Sequence, residues 1–242
     1  MSTEAEPTVS RAPSTSLDEQ AWPYFVPLVG FIVLTALEGR LPTTPAGDPV
    51  PGWFVGAYAL KMVVVSVLLW VCRTTWKDLK TLPSAGGLAL AVGLGVAVIV
   101  AWVGLDPFYP KFEALMGKRT AFDPHSLPTG LRVPFLALRF FGLVVLVPII
   151  EELFYRSFLI RWIIDPDFAK IPIGKVTTAG LAVTAAMFGA SHPEWLPAIL
   201  TALAWGWLLA QTKSVSACVI SHATANLVLG VYVLATGDWK YW

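Results

Sequence analysis

Seven long apolar runs constrain the fold of this chain more than any other feature of its sequence. They lie near residues 23–41, 54–72, 86–105, 135–161, 177–192, 196–211 and 215–235. A helix of about 20 apolar residues crosses the hydrocarbon core of a bilayer. The fifth and sixth runs are short, so either their neighbours extend them or one of them enters the membrane without crossing it.

The composition supports a membrane protein of the helical class. The chain is 56% hydrophobic and 14% charged, whereas a soluble domain carries about 25% charged residues. Backbone groups in lipid must satisfy their own hydrogen bonds, which leaves helices and closed barrels as spanning structures. The runs are continuous rather than alternating, so they argue against a barrel. The sequence therefore predicts an all-α, polytopic transmembrane bundle of about seven to eight helices. A net charge of +1 predicts no nucleic-acid partner, because such a partner requires a basic surface.

The N-terminal segment and the connections between runs predict the topology. Residues 1–20 are rich in Ser, Thr, Pro and acids, which is typical of a disordered tail. The segment lacks the layout of a cleaved signal peptide. If all seven runs cross, the basic connections 73–84 and 162–176 and the one at Lys213 share the side of the tail. The positive-inside rule then predicts a cytoplasmic N-terminus.

Two adjacent acids interrupt the fourth run. Glu151 and Glu152 lie in a stretch that is otherwise apolar, and a charge near the bilayer centre costs at least about 2.5–3.5 kcal/mol. Neighbours on a helix point about 100° apart, so two roles are expected. Arg156 is four residues after Glu152, where a helical ion pair forms. We expect this pair to be structural support and Glu151 to be the general base. The alternative is that both acids only hold helices together.

Two histidines and an asparagine add polar groups to later apolar runs. His192 ends the fifth run, and His222 and Asn226 share one face of the seventh. Taken singly, His192 is explained as an interfacial residue and the other two as interhelical hydrogen-bonding groups. Together with the acids they supply a base, imidazoles that orient water or bind a metal, and an oxyanion donor. This inventory predicts a water-activating site shared by three helices.

Three motifs resemble those of a known family. The segment Glu151-Glu-Leu-Phe-Tyr-Arg156 resembles an EExxxR motif, Phe188–His192 an FxxxH motif and His222–Asn226 an HxxxN motif. Their order and spacing are similar to those of the CAAX-protease and bacteriocin-processing family of intramembrane endopeptidases. The motif-bearing core is 135–235, within a transmembrane domain 21–242. The N-terminal half resembles, in layout only, the members that accompany bacterial exosortase sorting systems.

The resemblance implies a structure and a set of catalytic roles. It implies about eight helices around a water-filled, polar cavity. Glu151 would activate the hydrolytic water, and His192 would help to hold that water. His222 and Asn226 would lie opposite, with Asn226 stabilising the tetrahedral oxyanion. Ser157 departs from the family pattern, since many relatives have glycine at this position.

The resemblance also raises the question of a metal. A catalytic zinc site takes three protein ligands and keeps an open position. Glu151, His192 and His222 are the candidate zinc ligands, and on the resemblance we expect a metalloprotease. The chain has no HExxH motif. Water activated by glutamate without a tightly bound metal is the open alternative.

The predicted function is an intramembrane endopeptidase that hydrolyses a peptide bond of a membrane-associated protein or peptide. Its expected partners are membrane lipid and that substrate, and its expected location is the inner membrane of a bacterium, as a multi-pass protein. One alternative is a proton-coupled transporter, because intramembrane Glu and His residues also form proton relays. The lack of internal repeats in the sequence argues against it. Another alternative is a non-catalytic scaffold that binds a hydrophobic segment.

Overall fold

The fold is all-α in the residues that the structure, a computed structural model, describes, namely 17–45, 47–111 and 122–241. Within these ranges the only β feature is an isolated bridge between Thr43 and Pro49. The long helices are α1 Leu17–Glu38, α2 Pro51–Val71, α3 Ala85–Leu105, α4 Thr129–Trp162, α5 Thr178–Ala190, α6 Trp195–Thr212 and α7 Val215–Thr236. The predicted all-α bundle is confirmed. Most of the predicted tail lies outside the described residues, and its last part, 17–20, belongs to α1.

Five of these helices are long and apolar enough to cross a bilayer. They are α2, α4 and α7 over their full lengths, together with the segments Gln20–Glu38 and Ala85–Phe108. Helix α5 is shorter, as the sequence predicted. Many large apolar side chains point away from the bundle, among them Leu60, Val63, Val100 and Val133, which suits contact with lipid. The chain is thus a multi-pass integral membrane protein.

Helix α4 departs from a regular helix on both sides of the acidic pair. The sequence predicted its start at 135, but it begins at Thr129. Two of its stretches, Gly142–Leu146 and Leu153–Leu159, are π-helical. Between them, the α-helical segment Val147–Glu152 carries both acids. Because π stretches shift hydrogen bonds by one residue and are frequent at functional sites, the side-chain directions here cannot be taken from a regular helix.

The predicted basic connections gather at one end of the bundle, which we call the Asp78 end. Asp78 lies on the 3₁₀ turn after α2, and its Oδ2 accepts hydrogen bonds from Tyr24 Oη at 2.8 Å and from Arg161 Nη2 at 2.9 Å. Ser214, next to Lys213, donates to the carbonyl oxygen of Thr81 at 2.5 Å. The start of α1 therefore shares this end with the three connections. The side of the membrane that it faces stays a prediction.

Glycine permits the close helix contacts that bring the site together. A Cβ at Gly95 in α3 would lie 2.4 Å from the carbonyl oxygen of Ser221 in α7. A Cβ at Gly206 in α6 would lie 2.2 Å from Leu181 in α5. Small residues let membrane helices approach closely where there is no hydrophobic force to join them. These contacts draw α6 and α7 into the bundle, together with the polar residues that they carry.

Candidate active site

A buried triad of Glu152, Arg156 and His222 lies at the centre of the site. Glu152 Oε2 is 3.2 Å from Arg156 Nε, and Glu152 Oε1 is 3.0 Å from His222 Nδ1. All three side chains are buried. The ion pair expected between Glu152 and Arg156 is present, and His222 shares it. A buried charge is tolerated when it is paired. Glu152 Oε1 is hydrogen-bonded to His222, whereas Oε2 is paired with Arg156 by charge and accepts no hydrogen bond from the described residues.

Aromatic rings enclose the guanidinium of Arg156. Its central carbon lies 5.6 Å from the ring centroid of Tyr155 and 5.4 Å from those of Phe188 and Trp205. A guanidinium is attracted to the face of an aromatic ring, and more strongly when it is desolvated. Helices α4, α5 and α6 each contribute a ring, so the positive charge of Arg156 links three helices.

Trp205 is a site residue that the sequence did not reveal. Its ring stacks on the imidazole of His222 with centroids 4.3 Å apart and an interplanar angle of 27°. Its Nε1 donates to Ser221 Oγ at 3.0 Å, and the side chain is almost fully buried. One sequence feature could have pointed to Trp205: it lies in the middle of an apolar run, away from the membrane interfaces where tryptophan is enriched.

Glu151 lies on the other side of the same imidazole. Its Oε2 is 4.0 Å from His222 Nε2. The side chain is largely buried, and Oε2 accepts no hydrogen bond from any described residue. The distance is too long for a direct hydrogen bond. His222 therefore stands between the two adjacent acids, bonded to Glu152 and near Glu151.

His192 lies at the end of α5, in an aromatic environment. Its Nδ1 is 2.8 Å from the carbonyl oxygen of Phe188, and its ring packs against those of Phe188 and Trp102. Because Nδ1 faces an acceptor, it carries the hydrogen, and Nε2 is the accepting nitrogen. Phe188 in turn contacts Tyr155, with centroids 5.3 Å apart. These two rings connect His192 to the helix turn that follows Glu151.

Asn226 ties α7 to the π-helical part of α4. Its Nδ2 donates to the carbonyl oxygen of Leu143 at 2.7 Å. The side chain is partly buried. An amide nitrogen has two hydrogens, so one of them is used in this contact. Asn226 thus has a structural bond in addition to the oxyanion role that the resemblance implies.

The predicted zinc ligands do not form a metal site in this arrangement. Among the described residues, no group of three or more His, Cys, Asp or Glu side chains is placed to hold a metal ion. His222 Nδ1 is bonded to Glu152, and the Nδ1 of His192 faces a backbone carbonyl, so Nε2 is the nitrogen of each ring that a metal would use. As placed, the three side chains do not meet as a three-ligand zinc centre, and zinc stays a prediction from the resemblance.

The fold and the site define a multi-pass membrane protein with a buried Glu–His centre. Comparison with known protein families gives one match. Residues 133–228 match a family described as type II CAAX prenyl endopeptidase Rce1-like. No curated protein and no solved structure matches the chain. The matched segment contains all three motifs, so the comparison supports the resemblance to the CAAX-protease and bacteriocin-processing family that the motifs predicted. The association with exosortase systems stays a prediction.

Proposed function

We propose that the protein is an intramembrane CAAX-type endopeptidase in which Glu151 activates the hydrolytic water. The observation that carries the proposal is the placement of Glu151 Oε2, which is buried, accepts no described hydrogen bond and lies 4.0 Å from His222 Nε2. A carboxylate so placed is available as a base. The family match over 133–228 supports the reaction class.

The bonds of His222 define its role in the proposed reaction. Glu152, which also pairs with Arg156, accepts the hydrogen of His222 Nδ1. Nε2 of the neutral ring is then an acceptor. A water at about 2.8 Å from both Nε2 and Glu151 Oε2 satisfies ordinary hydrogen-bond lengths. His222 would lie beside the water, whereas the resemblance implies a place opposite to it.

The proposed reaction is a hydrolysis in two proton transfers. Glu151 takes a proton from the water while the water oxygen bonds to the carbonyl carbon of the scissile peptide. The resulting tetrahedral intermediate collapses, the C–N bond breaks, and Glu151 returns the proton to the leaving amine. No step needs a metal ion.

Asn226 and His192 would assist from the two sides of the reacting carbonyl. The second Nδ2 hydrogen of Asn226, which its bond to Leu143 does not use, is a candidate donor to the oxyanion. The two hydrogens of the water are directed to Glu151 and His222 Nε2, so the accepting Nε2 of His192 suits a hydrogen bond from a substrate N–H. Each of the two roles depends on a side chain that a backbone carbonyl orients.

The test uses the full-length protein in liposomes with a farnesylated peptide that ends in a CAAX sequence. Mass spectrometry measures release of the C-terminal tripeptide. We expect Glu151→Gln to lower the rate by about 10²–10⁴-fold, the usual contribution of a general base. Asp48→Asn, the same carboxylate-to-amide change at an exposed loop position, should cleave at the wild-type rate. Wild-type cleavage by Glu151→Gln would refute the role of Glu151.

A second measurement covers substrates other than prenylated peptides. The C-termini and N-termini of membrane proteins are compared between cells that carry the wild-type protein and cells that carry Glu151→Gln. Termini that are present only with the wild-type protein would support an endopeptidase and identify its substrate. Identical termini, together with no cleavage of the farnesylated peptide by the wild type, would refute the endopeptidase.

A further inference from the structure

A cavity with a mixed polar and apolar lining lies at the Asp78 end, away from the residues of the candidate active site. Its volume is about 280 Å³, and its lining residues are Gln20, Pro23, Tyr24, Thr74, Lys77, Asp78, Arg161, Phe168 and Ala169. None of the proposed catalytic residues lines it. Pockets for drug-sized ligands measure about 300–1,000 Å³, so this cavity suits a small polar group rather than a whole lipid.

The inner wall of the cavity is electrically compensated. Asp78 Oδ2 accepts from Tyr24 Oη at 2.8 Å, from Ser157 Oγ at 2.5 Å and from Arg161 Nη2 at 2.9 Å. A further hydrogen bond fixes Arg161, because its Nη1 donates to the carbonyl oxygen of Ile171 at 3.3 Å. Asp78 and Arg161 thus form a fixed, neutral pair, and Asp78 has little remaining capacity to repel an anion.

Lys77 gives the cavity a net positive charge. It is exposed, lies next to Asp78 on the same turn, and its ammonium makes no ion pair or hydrogen bond with the described residues. Thr74 and Gln20 add a hydroxyl and an amide to the lining. One uncompensated cation beside neutral donors is the arrangement expected for an anion site.

The position of the cavity relative to the membrane indicates which kind of anion is available to bind there. Trp22 and Trp76, neighbours of the lining residues, are 39% and 41% exposed, and half-exposed tryptophans are typical of the headgroup level. The basic residues Arg73, Lys80 and Lys175 belong to the same end. Basic pockets between membrane helices at this level bind lipid headgroups.

We propose that this cavity binds the phosphate of an anionic phospholipid headgroup, with Lys77 as the principal contact and the neutral Asp78–Arg161 pair as its inner wall. The acyl chains of such a lipid would remain in the bilayer, since the cavity is too small for them. The site would anchor the starts of α1 and α3 and the end of α4 to the headgroup layer. The inference does not depend on the proteolytic activity.

The test is native mass spectrometry of the full-length protein with phosphatidylglycerol and phosphatidylcholine added in equal amounts. The wild type should retain phosphatidylglycerol preferentially. Lys77→Gln should reduce that preference about fivefold, which corresponds to the contribution of one basic residue at an anionic membrane surface. Lys80→Gln is the matched control, because Lys80 is exposed on the same connection and does not line the cavity.

Three outcomes would overturn the proposal. The first is an equal retention of the two lipids by the wild type, and the second is an equal effect of Lys77→Gln and Lys80→Gln. The third concerns the source of the phosphate. If inorganic phosphate raised the unfolding temperature in detergent as much as phosphatidylglycerol does, the site would be one for a soluble anion. Equal unfolding temperatures of the wild type and both lysine variants without added lipid would show that their folds are intact.

Discussion

His222 Nδ1 lies 3.0 Å from Glu152 Oε1, although the two residues are 70 positions apart in the chain. The contact joins α7 to α4 in the interior of the bundle. It also turns the opposite ring nitrogen toward Glu151, at 4.0 Å. One imidazole thereby distinguishes two adjacent acids, since Glu152 pairs with both Arg156 and His222, whereas Glu151 approaches His222 Nε2 at the longer distance.

We expect Glu152→Gln to destabilise the protein as well as to abolish cleavage. The variant leaves Arg156 buried without its counter-charge, and breaking a buried pair costs about 3–5 kcal/mol. The unfolding temperature in detergent measures the effect. Because Glu152→Gln combined with Arg156→Gln removes both charges, the double variant should recover part of the loss. An unchanged unfolding temperature in the single variant would contradict the support role of Glu152.

We expect Trp205→Phe to lower kcat more than it changes KM. The phenyl ring can still stack on His222, but it cannot donate to Ser221 Oγ, so the orientation of the imidazole is less restrained. Steady-state kinetics on the farnesylated peptide measure kcat and KM separately. Trp207→Phe is the control on the same helix, at a side chain that is 47% exposed. Equal effects of the two substitutions would show that Trp205 does not orient His222 for the reaction.

We expect Asn226→Ala to affect rate far more than stability. Loss of an oxyanion donor lowers kcat by about 10²–10³-fold, whereas loss of the hydrogen bond to Leu143 costs about 0.5–1.5 kcal/mol. Thr224→Ala is the control, because Thr224 Oγ1 donates only to the backbone of its own helix, at Ile220. A stability loss without a comparable loss of rate would show that Asn226 only ties the helices.

We expect Gly142→Ala to be destabilising by about 1–3 kcal/mol, the usual cost of overpacking. A Cβ there would lie 2.3 Å from Tyr58 Oη and 2.5 Å from Met62 Sδ. Gly130→Ala in the same helix has open space around its Cβ and should be neutral or stabilising. Unfolding temperatures of the two variants provide the comparison. Equal values would mean that α2 does not pack closely on the π-helical stretch.

We expect cleavage to survive removal of metal ions. Glu151 and the two motif histidines do not form a three-ligand group among the residues that the structure describes. Dialysis against EDTA, followed by metal analysis and the peptide assay, measures this. Loss of activity that Zn²⁺ restores would instead support the metalloprotease that the resemblance predicts.

The sequence predicted the helices closely because hydropathy is a local property. Each apolar run corresponds to a helix. The largest errors, of six residues, are at the start of α1, which is Leu17 rather than 23, and at the start of α4, which is Thr129 rather than 135. The first residues of α4 include Arg132 and Pro134, and these interrupted the apolar signal. The ion pair of Glu152 with Arg156 was predictable for a similar reason, since both residues lie on one face of a single helix.

The apolar runs alone thus determined the all-α class, and the motifs determined the family resemblance and the residues worth testing. Only the tertiary structure decided that His222 contacts Glu152, that Trp205 stacks on His222 and that Asn226 bonds to Leu143. These contacts join different helices, and they depend on close approaches such as that of Gly95 to Ser221 and on the π-helical turns of α4. The hydropathy of a segment depends on its own residues and determines how favourably that segment enters lipid. Which helix faces contact one another inside the bundle depends on the packing of all the helices together.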